Sequence, residues 1–199
     1  MHPYSTDESR IPVYSLLAVI SVVVAWGIAA LTANLDWPQW LVGVPSLAAV
    51  YAGAYKLFDE FGWRTVLARQ LRLVGVRDAE GRYEGELIST FESSEGGNTK
   101  KAVVFDIRQS WTRISIEMTV SSGSSTSRSM SALGALTHDG GGMKLVYVYE
   151  NKVNPGVADA DMGDHAGAAE LQIYDDGRIE GRYFNSRPRA GSIRARRVT

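Results

Sequence analysis

IPVYSLLAVISVVVAWGIAALTANL, residues 11–35, contains no charged side chain. A helix needs about 20 such apolar residues to cross a hydrocarbon core, so Val13–Ala33 is expected to span a membrane. A second uncharged run, Trp37–Tyr55, follows directly after Asp36. The connection allows only a tight turn, and the two runs are expected to form a hairpin of two transmembrane helices. Pro38 suits the first turn of the second helix, where its missing N–H costs nothing. Trp37 and Trp40 fall at one end of that run and Tyr51 and Tyr55 near the other, as aromatic residues do at membrane interfaces.

A cleaved leader is the competing reading of the first run. The residues before it carry Arg10 but also Asp7 and Glu8, and Leu31-Thr32-Ala33 makes a poor cleavage site. Orientation follows from Lys and Arg. The connection has neither, whereas Lys56, Arg64, Arg69 and Arg72 follow the second run, so both termini are expected in the cytoplasm. Ala25 with Ala29, and Ala49 with Gly53, place small residues at the spacing that lets helices approach closely. Asp59–Arg72 reads as helical, with Phe61, Trp63, Val66, Leu67 and Leu71 on its apolar side. It is either an interfacial linker or a continuation of the second helix.

Beyond Leu73 the period shortens. Segments rich in β-branched and aromatic residues recur between turn signals: Tyr83–Phe91, Lys101–Arg108, Thr112–Ser121, Met130–Thr137, Lys144–Glu150, Ala166–Tyr174, Arg178–Asn185 and Ser192–Val198. Asp175-Asp176-Gly177 is a hairpin turn signal. The apolar parity slips between Arg108 and Arg113, which predicts a bulge or sharp bend. The expected fold is therefore a membrane α-hairpin plus an all-β part, a small antiparallel β-barrel of about eight strands. Residues 1–58 form the anchor, 59–72 the linker and 73–199 the β-barrel domain.

Composition restricts the chemistry. There is no cysteine, which removes disulfides, thiolate metal sites and cysteine nucleophiles, and the net charge of −1 selects no partner. The acidic stretch Asp159-Ala-Asp-Met-Gly-Asp164 resembles a calcium loop, but Gly163 occupies a position that needs an acid, so no metal site is expected. Nucleophile-elbow, phosphate-loop and paired-histidine motifs are missing from the sequence, so no catalytic residue is assigned and a binding role is expected. Arg178, Arg182, Arg187 and Arg189, with Tyr183 and Asn185, offer cationic forks, an aromatic face and an amide; Trp111, Thr112, Tyr147, Tyr149 and Asn151 add stacking faces and hydrogen-bonding groups. Such side chains hold phosphates and nucleobases, although arginines also coat surfaces and aromatics also fill cores.

The motifs occur in a recognisable order. After the two runs come Ile107-x-Gln109-x-Trp111-Thr-x-Ile114-x-Ile116, a serine-rich hairpin at Ser121–Ser131 and Tyr147-x-Tyr149-x-Asn151. His165-x-Gly167-x-x-Glu-Leu171 follows, and then Asp176-Gly-x-Ile-x-Gly181-x-Tyr183-Phe-Asn-x-Arg187-x-x-x-Gly191-x-Ile193. This order resembles the two-transmembrane, β-strand-rich effectors of CBASS, the bacterial anti-phage systems built on CD-NTase nucleotide cyclases. One departure is Asn154-Pro155, where the pattern places a proline sooner. The resemblance implies a multi-pass protein of the bacterial inner membrane whose barrel binds a cyclic oligonucleotide made by a CD-NTase. A cyclic dinucleotide would be the activating ligand, with no other cofactor and no DNA or RNA polymer as partner. Ligand would drive homo-oligomerisation in the lipid bilayer and disrupt the membrane. A tethered lipocalin-like carrier of an apolar molecule and a non-catalytic membrane adaptor are the alternatives.

Overall fold

The computed structural model describes residues 1–32, 47–92, 98–122, 125–139, 142–153, 164–187 and 189–198. These divide into two compact units, Met1–Asp7 with Val76–Thr199, and Glu8–Gly75. The split differs from the expected anchor of residues 1–58, because the first seven residues belong with the strands.

Nine strands occur among the described residues: β1 (His2–Thr6), β2 (Gly81–Glu92), β3 (Asn98–Gln109), β4 (Arg113–Ser122), β5 (Ser125–Asp139), β6 (Gly142–Val153), β7 (His165–Tyr174), β8 (Arg178–Asn185) and β9 (Ala190–Val198). From β2 to β9 each strand pairs antiparallel with the next in sequence, and β9 pairs with β2, so the sheet closes on itself. Period-two alternation fills the inside. On β6, Met143, Leu145, Tyr147 and Tyr149 are buried while Val146, Val148 and Glu150 are exposed. β3 sends Val103, Phe105 and Ile107 inward, and β4 sends Ile114, Ile116 and Met118.

The parity slip near Arg108 is the turn of the β3–β4 hairpin, where Ser110 N–H donates to Arg113 O at 2.8 Å. Bulges lie elsewhere, between Ser89 and Glu92 on β2 and between Ser131 and Leu133 on β5.

β1 has no counterpart in the sequence reading. β4 and β5 pair from Glu117–Met130 to Ser122–Ser125 and then part. β1 fills the gap: His2 and Pro3 pair antiparallel with Ile114 and Arg113, and Tyr4–Thr6 pair parallel with Gly134–Leu136. Ser131 stands where the strands diverge. Its hydroxyl accepts from Ile116 N–H at 2.9 Å and lies 2.8 Å from His2 Nε2. Farther along, buried Gln109 accepts from Ala79 N–H at 2.8 Å, and its amide nitrogen donates to Arg77 O at 3.2 Å and Tyr4 Oη at 3.4 Å. Asp7 and Val76, where the chain leaves the sheet, therefore lie at one pole of it. The turn at Ser110–Thr112 and the end of β5 lie at that pole too.

The second unit contains α1 (Ile11–Thr32), α2 (Leu47–Glu60), a 3-10 turn at Gly62–Arg64 and α3 (Val66–Gln70). α1 is long and apolar enough to cross a membrane, and only 11% of its most apolar stretch is buried. A helix that is apolar all round and unburied is suited to lipid. Two of its hydroxyls are satisfied within the helix: Ser21 donates to Leu17 O at 2.6 Å and Thr32 to Ile28 O at 2.9 Å. The second expected span, Trp37–Tyr55, lies outside the described residues as far as Ser46, as do Trp37 and Trp40. The remainder forms the start of α2, whose Tyr55 meets Tyr14 of α1 with ring centroids 6.2 Å apart. The expected linker helix is broken: α2 stops at Glu60, and Thr65 caps the short α3 by accepting from Ala68 N–H at 3.3 Å.

Candidate functional site

The closed sheet holds a cavity at the pole opposite Asp7 and Val76. Counted out to its open mouth, and including the solvent there, its unfilled space is about 640 Å³. Tyr149 and Tyr183 provide aromatic walls, Asn151 and Asn185 amides, and Lys101, Arg187 and Arg189 positive charge. Ser89, Ser127, Ser129 and His165 add polar groups over an apolar base of Leu87, Met118 and Val120. No acidic side chain lines the cavity among the described residues. Such a wall suits an anion that carries flat rings.

Cross-strand pairing stacks the site in rows. Nearest the mouth, Ser129, Asn151 and His165 lie side by side on β5, β6 and β7. Ser129 Oγ donates to Asn151 Oδ1 at 2.9 Å, and Asn151 Nδ2 faces His165 Nδ1 at 3.4 Å. The chain of bonds fixes the Asn151 amide and makes Nδ1 the acceptor of the imidazole. In the next row Tyr149, Gly167 and Asn185 are neighbours across β6, β7 and β8. Deeper still run Tyr147, Ala169, Tyr183, Gly191 and Ser89.

Two glycines make the aromatic walls possible. A Cβ at Gly167 would overlap the Tyr149 hydroxyl, and one at Gly191 the Tyr183 ring. Each tyrosine lies across the space its partner strand leaves, an arrangement in which an aromatic ring covers a strand glycine. Tyr149 Oη donates to Phe184 O at 3.4 Å. Burial pushes the Tyr149 and Tyr147 phenols well above their ordinary value, so both remain O–H donors at neutral pH.

Of the residues expected to bind ligand, Tyr149, Asn151, Tyr183, Asn185 and Arg187 line this cavity. Tyr147 lies one row deeper, buried, its hydroxyl without a hydrogen-bond partner among the described residues. Trp111 and Thr112 are not brought together with them. They form the β3–β4 turn at the far pole, where Trp111 O accepts from Tyr4 Oη at 2.8 Å. Ser129 and Lys101 were not singled out by the sequence, whereas Arg189, one of the arginines expected to bind an anion, lines the cavity with Arg187. The parity of β5 inverts at its bulge and hides Ser129, and one Lys among several carries no signal. The acidic stretch at Asp159 lies outside the described residues up to Gly163.

Residues 75–197 match the family model described as Cap15, cyclic dinucleotide receptor domain. The chain belongs to that family. It is the effector family that the order of sequence motifs resembles. No individual curated protein matches the chain. The Cap15 receptor domain takes in β2–β9 and with them every residue of the cavity wall. β1 and α1 lie before it, so the strand that fills the gap between β4 and β5 comes from outside the matched residues.

Proposed function

We propose that this chain is a membrane-anchored CBASS effector whose closed sheet is the barrel that senses a cyclic dinucleotide. The cavity wall carries the reading. A cyclic dinucleotide presents two bases and two phosphodiesters, and the wall offers tyrosine faces, amides and three cations with no acid among the described residues. Arginine pairs with phosphate through parallel N–H bonds, and aromatic rings stack on bases. The cations argue against a carrier of apolar molecules. Binding, without turnover of the ligand, is the proposed activity.

Anchoring by an even number of crossings accounts for the arrangement of the chain. β1 precedes α1 and yet lies in the sheet formed by β2–β9. Residues 7 and 76 are therefore on one side of any membrane that α1 crosses, and a return crossing must occur between them. The Trp37–Tyr55 run is the proposed return, and the positive charge after it puts the sheet in the cytoplasm. Ligand binding would favour an assembled state of the spans, and this requires that ligand bind that state better than the resting one. The assembly disrupts the inner membrane and stops phage production.

The decisive measurement is calorimetric titration of the full chain in detergent with a panel of cyclic dinucleotides. Saturable binding of at least one, with ligand recovered intact, is expected; no binding of any would defeat the proposal. For the membrane half, leucine at both Ala49 and Gly53 should block close helix approach. Among the described residues a Cβ at Gly53 meets nothing within 4 Å. The variant should bind ligand yet admit no dye in cells that make an active cyclase. Normal dye entry would exclude this face as the assembly surface.

A further inference from the structure

The two amides of the cavity differ in one respect. Asn151 is committed at both ends, its oxygen to Ser129 and its nitrogen to His165. Asn185 is not. Its Oδ1 is shut off from solvent and accepts no hydrogen bond among the described residues, although the side chain lines the cavity. Strand pairing fixes its position: Asn185 ends β8 opposite Gly167, and its backbone N–H donates to Arg189 O at 3.2 Å. A buried acceptor with no donor is unfavourable, and such groups in folded proteins call for an explanation.

Accepting the cyclic dinucleotide reading on which this rests, we propose that Asn185 Oδ1 accepts a hydrogen bond from a nucleobase N–H and so determines which base the site prefers. The chemistry narrows the donor. A phosphodiester is acceptor-only at neutral pH, and its oxygens would repel the amide oxygen. Base edges carry N–H groups: the exocyclic amines of adenine and cytosine, the ring N–H and amine of guanine, and the ring N–H of uracil. The position is also right for a base, since Asn185 follows Tyr183 by two residues on the same strand face and neighbours Tyr149 across Gly167. A base stacked on either ring presents its edge to the amide, while the phosphates fall to Lys101, Arg187 and Arg189. A base with an acceptor at that point leaves two acceptors facing each other, and sites of this kind reject such analogues strongly.

The test uses the full chain in detergent, titrated with cyclic di-AMP, cyclic di-GMP, cyclic UMP–AMP and cyclic di-UMP. The unsubstituted chain should rank the four. Asn185→Leu should weaken the preferred ligand by about tenfold or more and the others less, compressing the ranking. Asn185→Asp keeps an acceptor, so it should preserve the ranking while lowering every affinity through its charge. Equal weakening of all four by Asn185→Leu would mean that the oxygen meets a ribose hydroxyl or nothing, and would overturn the inference. A ranking lost in Asn185→Asp while that variant stays folded would also overturn it. Failure of the unsubstituted chain to bind any of the four would remove the ligand reading itself, and this inference with it.

Discussion

Ser131 Oγ lies 2.8 Å from His2 Nε2 across 129 positions of sequence, at the point where β4 and β5 part. The same oxygen accepts from Ile116 N–H, replacing the strand partner that β5 withdraws. Ser131→Ala should therefore leave a backbone donor unpaired and loosen β1 at once. A loss of roughly 1–3 kcal/mol is expected, read as a lower thermal midpoint with faster hydrogen exchange in residues 2–6. An unchanged exchange pattern would mean that β1 is held by its backbone pairing alone.

The far pole should be separable from the ligand site. Buried Gln109 joins Ala79 and Tyr4 beside Trp111 and also bonds the backbone carbonyl of Arg77. Gln109→Leu leaves at least the Ala79 N–H without its acceptor and should cost roughly 1–3 kcal/mol. Its affinity for a cyclic dinucleotide should stay within about twofold, below the roughly 0.5 kcal/mol coupling expected of distant sites. A tenfold loss of affinity in a folded variant would place this pole in the binding mechanism.

Gly191→Ala tests the aromatic wall. The added methyl overlaps both the Tyr183 ring and the carbonyl of Ile88. Overpacking of this kind costs about 1–3 kcal/mol. Because the ring must move, ligand affinity should fall along with stability. Retained affinity at lowered stability would show that Tyr183 does not touch the ligand.

Asp7 predicts a modest pH dependence. The His138 backbone N–H donates to its carboxylate at 3.0 Å, and this bond above all holds the carboxyl below its ordinary value of 3.8. A carboxyl lowered by folding contributes stability above its unfolded value, and that contribution disappears as pH falls through the folded one. The side chain is 42% exposed, so screening keeps the effect small. Melting curves between about pH 3 and pH 6 should show Asp7→Asn losing about one or two degrees less than the parent on acidification. Identical acid sensitivity in the two would exclude Asp7 as a contributor.

Much of this was legible in the sequence. Strand positions followed from alternation, as on Lys144–Glu150, because one face of each strand is buried and the other wet. Tyr149, Asn151, Tyr183, Asn185 and Arg187, picked out for their aromatic, amide and guanidinium groups, line one cavity. Trp111 has the same chemistry but sits at the β3–β4 turn, away from the cavity. A residue's distance along its strand decides its pole, and alternation reports only the face. β1 was illegible for a different reason. His-Pro-Tyr-Ser-Thr is too short to show a period, and its partners lie more than a hundred residues away.

The gap that β1 fills also sets an order of events in biosynthesis. The first residues made are among the last that can be placed, since β4 and β5 are translated after both helical segments. Until then the two strands they will join do not exist, and afterwards the edges stay open if the N-terminal segment is on the wrong side of the bilayer. Open strand edges recruit other chains. If the helices insert as proposed, sealing of the gap between β4 and β5 is conditional on correct insertion of everything between residues 7 and 76, and a mis-inserted copy would carry an unsealed edge. A fragment cut to begin at Leu73 would carry the same open seam permanently. Supplying His2–Thr6 in trans as a short peptide should mend it.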